Sequence, residues 1–176
     1  MAELTASDRR AALVAGALSS EQLNWRPRED AWSVGQCLEH LRVTNEVYLP
    51  AIASSLEGKQ PAMVEEITLG WLSRWFLRKF IVPDPKGARA RAPKKIEPAG
   101  RVEPGVVERF LRSNEDVRRF VARAGAYDVN RIRFKNPFIS ALRFTAGAGL
   151  EIVAKHQDRH LLQAEGVRKS PGFPER

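Results

Sequence analysis

Apolar side chains recur at helical spacing in four stretches of the chain, and no stretch alternates convincingly with the period of two that marks a strand. The pattern therefore predicts an all-α protein, a four-helix bundle with a long crossover connection between the second and third helices and short extra helices. The predicted helices cover about residues 7–19, 33–58, 104–124 and 140–168, the last beginning at about residue 140 or 145.

The second predicted helix has the clearest start. Ser33 is followed by Gln36 at the spacing of a capping box, in which the hydroxyl and the side-chain amide satisfy free backbone groups at the helix start. Trp32 precedes the cap, and we expect it to pack against Cys37. Pro50 lies inside the helix and is expected to kink it or divide it in two.

The segment at 69–82 is the most apolar part of the chain and carries three basic residues. It is interpreted as a core helix whose Arg and Lys side chains reach to solvent, or as a dimer interface, a partner contact or a membrane-surface helix. Residues 83–104 are rich in proline and predict a long irregular connection. We expect one domain over residues 1–168 and a flexible tail over residues 169–176.

Composition narrows the class of protein. The chain has 176 residues, of which 43% are hydrophobic and 28% charged, as expected for one globular domain. No window is apolar enough for a transmembrane helix, and the N-terminal residues lack a secretory pattern. Cys37 is the only cysteine, which excludes an intrachain disulfide, and we expect a cytoplasmic protein.

The chain is basic, with a formal net charge of +8 at pH 7. The densest basic stretch, at 86–95, carries Lys86, Arg89, Arg91, Lys94 and Lys95. Motifs for specific nucleic-acid recognition are missing from the sequence, so no specific nucleic-acid partner is expected. A solvated basic surface that attracts an anionic small-molecule substrate is the favoured interpretation.

The histidines carry the strongest chemical signal. There are three, and His156 and His160 are spaced i, i+4 on the fourth predicted helix, so both lie on one face. His40 lies on the second helix, which can be a neighbour in a bundle, and bundle cores build metal sites from facing helices. Three imidazoles would suit a zinc ion with one position left for water or substrate. The alternative is a pair of exposed histidines on a basic helix.

Two further residues are candidates for the surroundings of this site. Cys37 lies one turn before His40 and could line the same pocket, with a small core residue as the alternative. Gln163 follows His156 by seven residues and lies near His160 on the helix. It is interpreted either as a hydrogen-bond partner of a ligand or as a polar residue at the helix edge.

Three motifs together resemble the DinB-like superfamily, which includes bacillithiol transferases and mycothiol-dependent enzymes. They are Leu-Asn-Trp-Arg-Pro at 23–27, Trp-Ser-Val-Gly-Gln-Cys-Leu-Glu-His at 32–40 and His-Gln-Asp-Arg-His-Leu-Leu-Gln at 156–163. They occur in the family's order and at its spacing.

The resemblance implies a four-helix bundle, frequent homodimers, and a divalent metal ion bound by His40, His156 and His160. The ion would be zinc or nickel, with iron as an alternative. Characterised relatives use the metal to activate a low-molecular-weight thiol. The sequence therefore predicts a metal-dependent enzyme that activates such a thiol or water, for transfer or hydrolysis. The alternative is a non-catalytic helical metal-binding module that acts through a basic and aromatic surface on a partner, a membrane or nucleic acid.

Overall fold

The computed structural model describes residues 1–82 and 92–175 and is mostly helical, as predicted. The helices are α1 (Ala2–Ala15), α2 (Ser20–Asn24), α3 (Val34–Leu56), α4 (Trp71–Phe76), α5 (Val106–Ala124) and α6 (Ala146–Arg168), with a π-helical turn at Leu77–Ile81, a 3-10 turn at Lys94–Ile96 and strands β1 (Arg133–Lys135) and β2 (Arg143–Thr145).

The long helices pack on one another around the core. Helix α3 lies against both α5 and α6, and α1 contacts the same two helices. Their bounds agree with the predicted helices except for α1, which begins earlier in the chain than expected. One apolar cluster, which includes Leu38, Leu41 and Phe110, surrounds the N-terminal half of α3, and a second, which includes Ile52 and Ile152, surrounds its C-terminal half.

Helix α3 begins and ends close to its predicted bounds. Gln36 N donates to Ser33 Oγ at 3.1 Å and Ser33 N donates to Gln36 Oε1 at 3.0 Å, which completes the capping box. Of the two outcomes expected at Pro50, a kink or a division of the helix, division is wrong, since α3 is continuous to Leu56. Proline removes one backbone hydrogen bond, and the burial of Ile52 and Leu56 in the core holds the last turns in place.

The structure is mostly helical, in line with the all-α prediction, but it also contains a two-stranded sheet that the sequence did not predict. Strands β1 and β2 form an antiparallel pair in which Phe134 lies opposite Phe144, and both rings are buried. Each strand is three residues long, too short for alternation to be read from the sequence. The pair packs on α6 at Gly149, where an added Cβ would come within 2.7 Å of the Phe134 ring.

The motif at 23–27 begins inside a short helix that the sequence did not predict. Leu23 and Asn24 belong to α2, which starts with its own capping box between Ser19 and Gln22. The short helix went unrecognised because five residues span little more than one turn. The tail contacts this region: the ring centroids of Phe173 and Trp25 lie 5.4 Å apart. The flexibility of residues 169–176 stays a prediction.

The described part of the connection, residues 92–102, forms a strap across the C-terminal end of α2 and the N-terminal end of α3. Asn24 exchanges two hydrogen bonds with the backbone of Val102, at 2.7 and 3.0 Å, and Gln36 Nε2 donates to the carbonyl of Ala99 at 2.9 Å. Lys94 and Lys95 are exposed on the strap. Of the predicted basic stretch, Lys86, Arg89 and Arg91 lie outside the described residues.

The apolar segment at 69–82 is divided between core and surface. Phe76, Leu77 and Ile81 are buried, and Phe76 meets Phe144 with ring centroids 4.9 Å apart. Trp71 and Trp75 point outward. Across the described residues, every helix is too short or too polar to cross a membrane.

Candidate metal centre

His40 enters the core from the second turn of α3 and is only 2% exposed. Its Nδ1 lies 2.7 Å from the carbonyl oxygen of Ile96 in the strap. A carbonyl oxygen can only accept, so Nδ1 donates and carries the ring proton. The lone pair of the neutral ring is therefore on Nε2, which faces α6.

Helix α6 brings His156 and His160 to the same point, one turn apart. The ring centroid of His40 lies 4.9 Å from that of His156 and 4.5 Å from that of His160. His40 Nε2 and His156 Nε2 are 3.2 Å apart. One nitrogen from each of the three rings lies within 4.8 Å of the others, a group that could hold a metal ion.

Gln163 supports the third ring from the next turn of α6. Its Oε1 lies 2.9 Å from His160 Nδ1 and accepts the ring proton, which leaves Nε2 as the free nitrogen of a neutral His160. The side chain interpreted from sequence as either a hydrogen-bond partner or a polar edge residue thus contacts a member of the histidine group while remaining exposed.

Trp32 forms one wall of the site. This residue was not among the site residues predicted from the sequence. Its ring centroid lies 4.8 Å from that of His40 and 5.5 Å from that of His160, the latter nearly stacked at 26°. It also packs against the apolar cluster that contains Cys37. Trp32 lies just before the cap of α3, and that position was the one available sign that its ring folds back over the first turns of the helix.

The comparison with protein families identifies the family of the chain. The sequence model of the DinB superfamily matches residues 3–164. The chain belongs to the DinB superfamily. Comparisons with curated proteins and with solved structures returned no match.

Burial keeps the histidines of this DinB-superfamily chain neutral. It lowers the pKa of His40 to about 4, against the small opposing effect of the hydrogen bond to Ile96. Burial also lowers the pKa of His156 and of His160 well below the ordinary value, and the neighbouring imidazoles and Arg159 lower each further. Neutral imidazoles offer the lone pairs that a metal ion needs.

Arg159 is a partly buried cation beside the DinB-superfamily histidine group. Burial lowers its pKa. Its Nη1 lies 3.4 Å from the carbonyl oxygens of Ile81 and Val82, at the edge of hydrogen-bonding distance. In residues 1–82 and 92–175 no carboxylate forms an ion pair with it. A cation held this way is suited to an anionic ligand.

Cys37 is fully buried in the apolar cluster around the start of α3. Burial raises the pKa of its thiol, which opposes formation of a thiolate. The metal-compatible group contains the three histidines, and Cys37 is not part of it. These surroundings are those of a small core residue.

Proposed function

We propose that this DinB-superfamily chain is a metal-dependent enzyme with a small-molecule substrate, and that His40, His156 and His160 bind one divalent ion, zinc or nickel before iron. The single observation that carries the proposal is the convergence of three buried, neutral imidazoles on one point. Imidazole nitrogens suit these ions. The packing of α1, α3, α5 and α6 supports the four-helix bundle as the scaffold.

A bound divalent ion would lower the pKa of a coordinated thiol or water and so supply a nucleophile at neutral pH. The surrounding residues have their own tasks. The Ile96 carbonyl and Gln163 hold the Nδ1 protons of His40 and His160. The Trp32 indole shields two of the rings from water. These contacts fix the direction in which the free nitrogens point.

Catalysis is favoured over a structural metal by the number of protein ligands. The described residues bring three candidate ligands together, and structural zinc sites take four. Cys37, the pocket candidate that the sequence offered, is fully buried, and burial raises the pKa of its thiol. A site with three protein ligands leaves room for a substrate atom.

The basic groups around the site favour an anionic substrate. Arg159 lies next to His160 in sequence, and Lys94 and Lys95 are exposed on the strap that binds His40. We therefore favour a low-molecular-weight thiol that carries a carboxylate, used for transfer, with hydrolysis by activated water as the second reaction. A homodimer, implied by the resemblance, is part of the same proposal.

Elemental analysis of untagged protein tests the metal site. We expect about one divalent ion per chain in the wild type, and near-complete loss in His156→Ala, because two imidazoles bind these ions much more weakly than three. Leu162→Ala, an exposed position on the same helix, is the matched control and should retain the ion. A wild type that neither contains metal nor takes up added zinc or nickel contradicts the proposal.

A screen of thiol and electrophile pairs tests the reaction. Metal-loaded wild type should accelerate at least one transfer or hydrolysis, and His156→Ala should lose that activity while keeping its helical circular dichroism. Metal bound at full occupancy without any activity across the screen would favour the non-catalytic module.

A further inference from the structure

The outer side of residues 71–79 carries aromatic and basic side chains and no acidic ones. Trp71, Arg74, Trp75, Arg78 and Lys79, hereafter the basic aromatic face, are all exposed. The spacing of Trp71, Arg74 and Trp75 places them along one side of α4. Arg78 and Lys79 are exposed on the π-helical turn that continues it. Trp71 is 74% exposed and Trp75 is 48% exposed, and such exposure of large aromatic side chains is uncommon in a folded chain.

The opposite side of this segment is fixed in the core. Phe76, Leu77 and Ile81 are buried there, and Phe76 packs on Phe144 of β2. The helix therefore cannot rotate to bury its tryptophans without exposing these three side chains. Trp75 is further held edge-on against Phe80, with ring centroids 5.6 Å apart. The outward direction of the two indoles follows from the fold itself.

Within residues 1–82 and 92–175, the cations of the basic aromatic face have no acidic partners. Residues 69–82 contain no Asp or Glu. In the described part of the chain no ion pair involves Arg74, Arg78 or Lys79, and Arg74 donates only to the Leu69 carbonyl. Their positive charge is therefore available to an external anion.

We propose that the basic aromatic face binds the surface of membranes that contain anionic phospholipids. Indole rings favour the interface between lipid headgroups and acyl chains, and Arg and Lys bind lipid phosphates. A helix with both along one side lies flat in that interface. A second copy of the chain fits less well, because a twofold contact would bring the three cations of each copy against those of the other. This proposal does not depend on the metal site.

Vesicle flotation tests the proposal with the full chain. We expect binding to vesicles of phosphatidylcholine mixed with phosphatidylserine, much weaker binding to phosphatidylcholine alone, and release by high salt. Trp71→Ala with Trp75→Ala should lower the partition coefficient about tenfold or more by removing apolar anchoring. Arg78→Glu with Lys79→Glu should lower it by a similar factor through charge reversal. All four side chains are exposed, so the variants should retain wild-type circular dichroism.

Matched variants distinguish vesicle binding through the basic aromatic face from binding through the net charge of the chain. Arg9→Glu with Arg112→Glu makes the same change in net charge at exposed positions on α1 and α5, and Leu13→Ala removes an exposed apolar side chain elsewhere on α1. Both controls should bind vesicles like the wild type. The proposal is overturned if the wild type does not bind, or if the charge control loses as much binding as the face variant. Sedimentation that shows a dimer dissociated by the tryptophan substitutions, without vesicle binding, would assign the face to a second copy instead.

Discussion

Two buried polar clusters lie side by side between α3 and α6, and they are built in opposite ways. One is the group of three histidines. The other, hereafter the amide network, consists of Asn45, Ser113, Asn114 and Gln157. Their members are close in sequence: Gln157 follows His156, and Asn45 lies little more than one turn after His40. Helices α3 and α6 therefore contribute to both clusters, and α5 adds Ser113 and Asn114 to the amide network.

The amide network pairs donors with acceptors. Gln157 Nε2 donates to Asn114 Oδ1 at 2.8 Å, Asn45 Nδ2 donates to Ser113 Oγ at 3.1 Å, and Asn114 Nδ2 donates to the Asp8 carboxylate and the Leu4 carbonyl. Among the described residues one buried side-chain atom lacks a partner, Gln157 Oε1. The network thus joins α1, α3, α5 and α6 by bonds within the protein.

The histidine group has carbonyl and amide partners on the outside, whereas at its centre the imidazole nitrogens face one another, with His40 Nε2 and His156 Nε2 3.2 Å apart. The Ile96 carbonyl and Gln163 accept the Nδ1 protons of His40 and His160, and their free nitrogens turn toward His156. Several lone pairs that face one another require a cation or a shared proton between them. The difference teaches that a cluster whose donors are all paired within the protein, as in the amide network, is structural, whereas acceptors that converge on one point indicate a ligand.

The largest effect is expected from a substitution that disrupts the amide network alone. Asn114→Ala should lower the free energy of unfolding by roughly 3 kcal/mol, because Gln157 Nε2, the Leu4 carbonyl and Asp8 lose a buried partner. Urea unfolding measures the loss, and elemental analysis should find the metal content unchanged. Loss of metal in this variant would show that the two clusters act as one.

Acid should lower the stability of the metal-free protein through the protonation of His40. The pKa of His40 is lowered to about 4 in the fold, whereas an unfolded histidine titrates at about 6.5. Below pH 6.5 the unfolded chain therefore binds more protons, so the stability contributed by neutral His40, roughly 3 kcal/mol, is full above pH 6.5 and is lost as the pH falls toward 4.

Urea midpoints of the metal-free protein at neutral and mildly acidic pH measure this dependence. His40→Gln keeps a donor for the Ile96 carbonyl but has no titrating ring, so its stability should fall less steeply with acid. Equal slopes for the two proteins would contradict the neutral, buried state assigned to His40.

A smaller effect is expected at Gln163, which accepts a hydrogen bond from His160. Gln163→Leu removes the acceptor of the Nδ1 proton and should weaken metal binding about tenfold to a hundredfold, measured by competition with a chromophoric chelator. Gln163 is exposed, so the free energy of unfolding should change by less than about 0.5 kcal/mol. Gln163→Glu restores an acceptor and should restore affinity. If Gln163→Leu bound the metal with wild-type affinity, Gln163 would have no role in metal binding.

The smallest effect is expected at Cys37. Cys37→Ala leaves a small cavity in the apolar cluster and should cost about 1 kcal/mol in thermal unfolding, with no change in metal content. Loss of metal in this variant would identify Cys37 as a fourth ligand and would indicate that the ion is structural.

The main helices and the histidine group were predictable because their signals are local or periodic. The capping box at Ser33 fixed the start of α3, and the i, i+4 spacing placed His156 and His160 on one face of α6. The match over residues 3–164 confirms the family that these motifs suggested. The packing of α3 on α6 brings His40 to the other two across the helix interface.

The remaining contacts depend on tertiary structure that side-chain patterns do not record. The partner of His40 is a backbone carbonyl of the strap, and a carbonyl has no signature in the sequence. Trp32 and Arg159 acquire their places only when α3, α6 and residues 81–82 pack together. The short strands and α2 are stabilised mainly by what they pack against, so their own sequences indicate them weakly.

The hydrogen bond between His40 and the strap makes the peptide backbone a reporter of the site. The strap is held by Asn24, Gln36 and His40, so anything that fixes the His40 ring also slows local opening of the strap. Hydrogen–deuterium exchange at the Ile96 and Val102 amides should therefore slow when the centre is filled. Occupancy of a site with no colour of its own could then be followed at backbone positions more than fifty residues away in sequence.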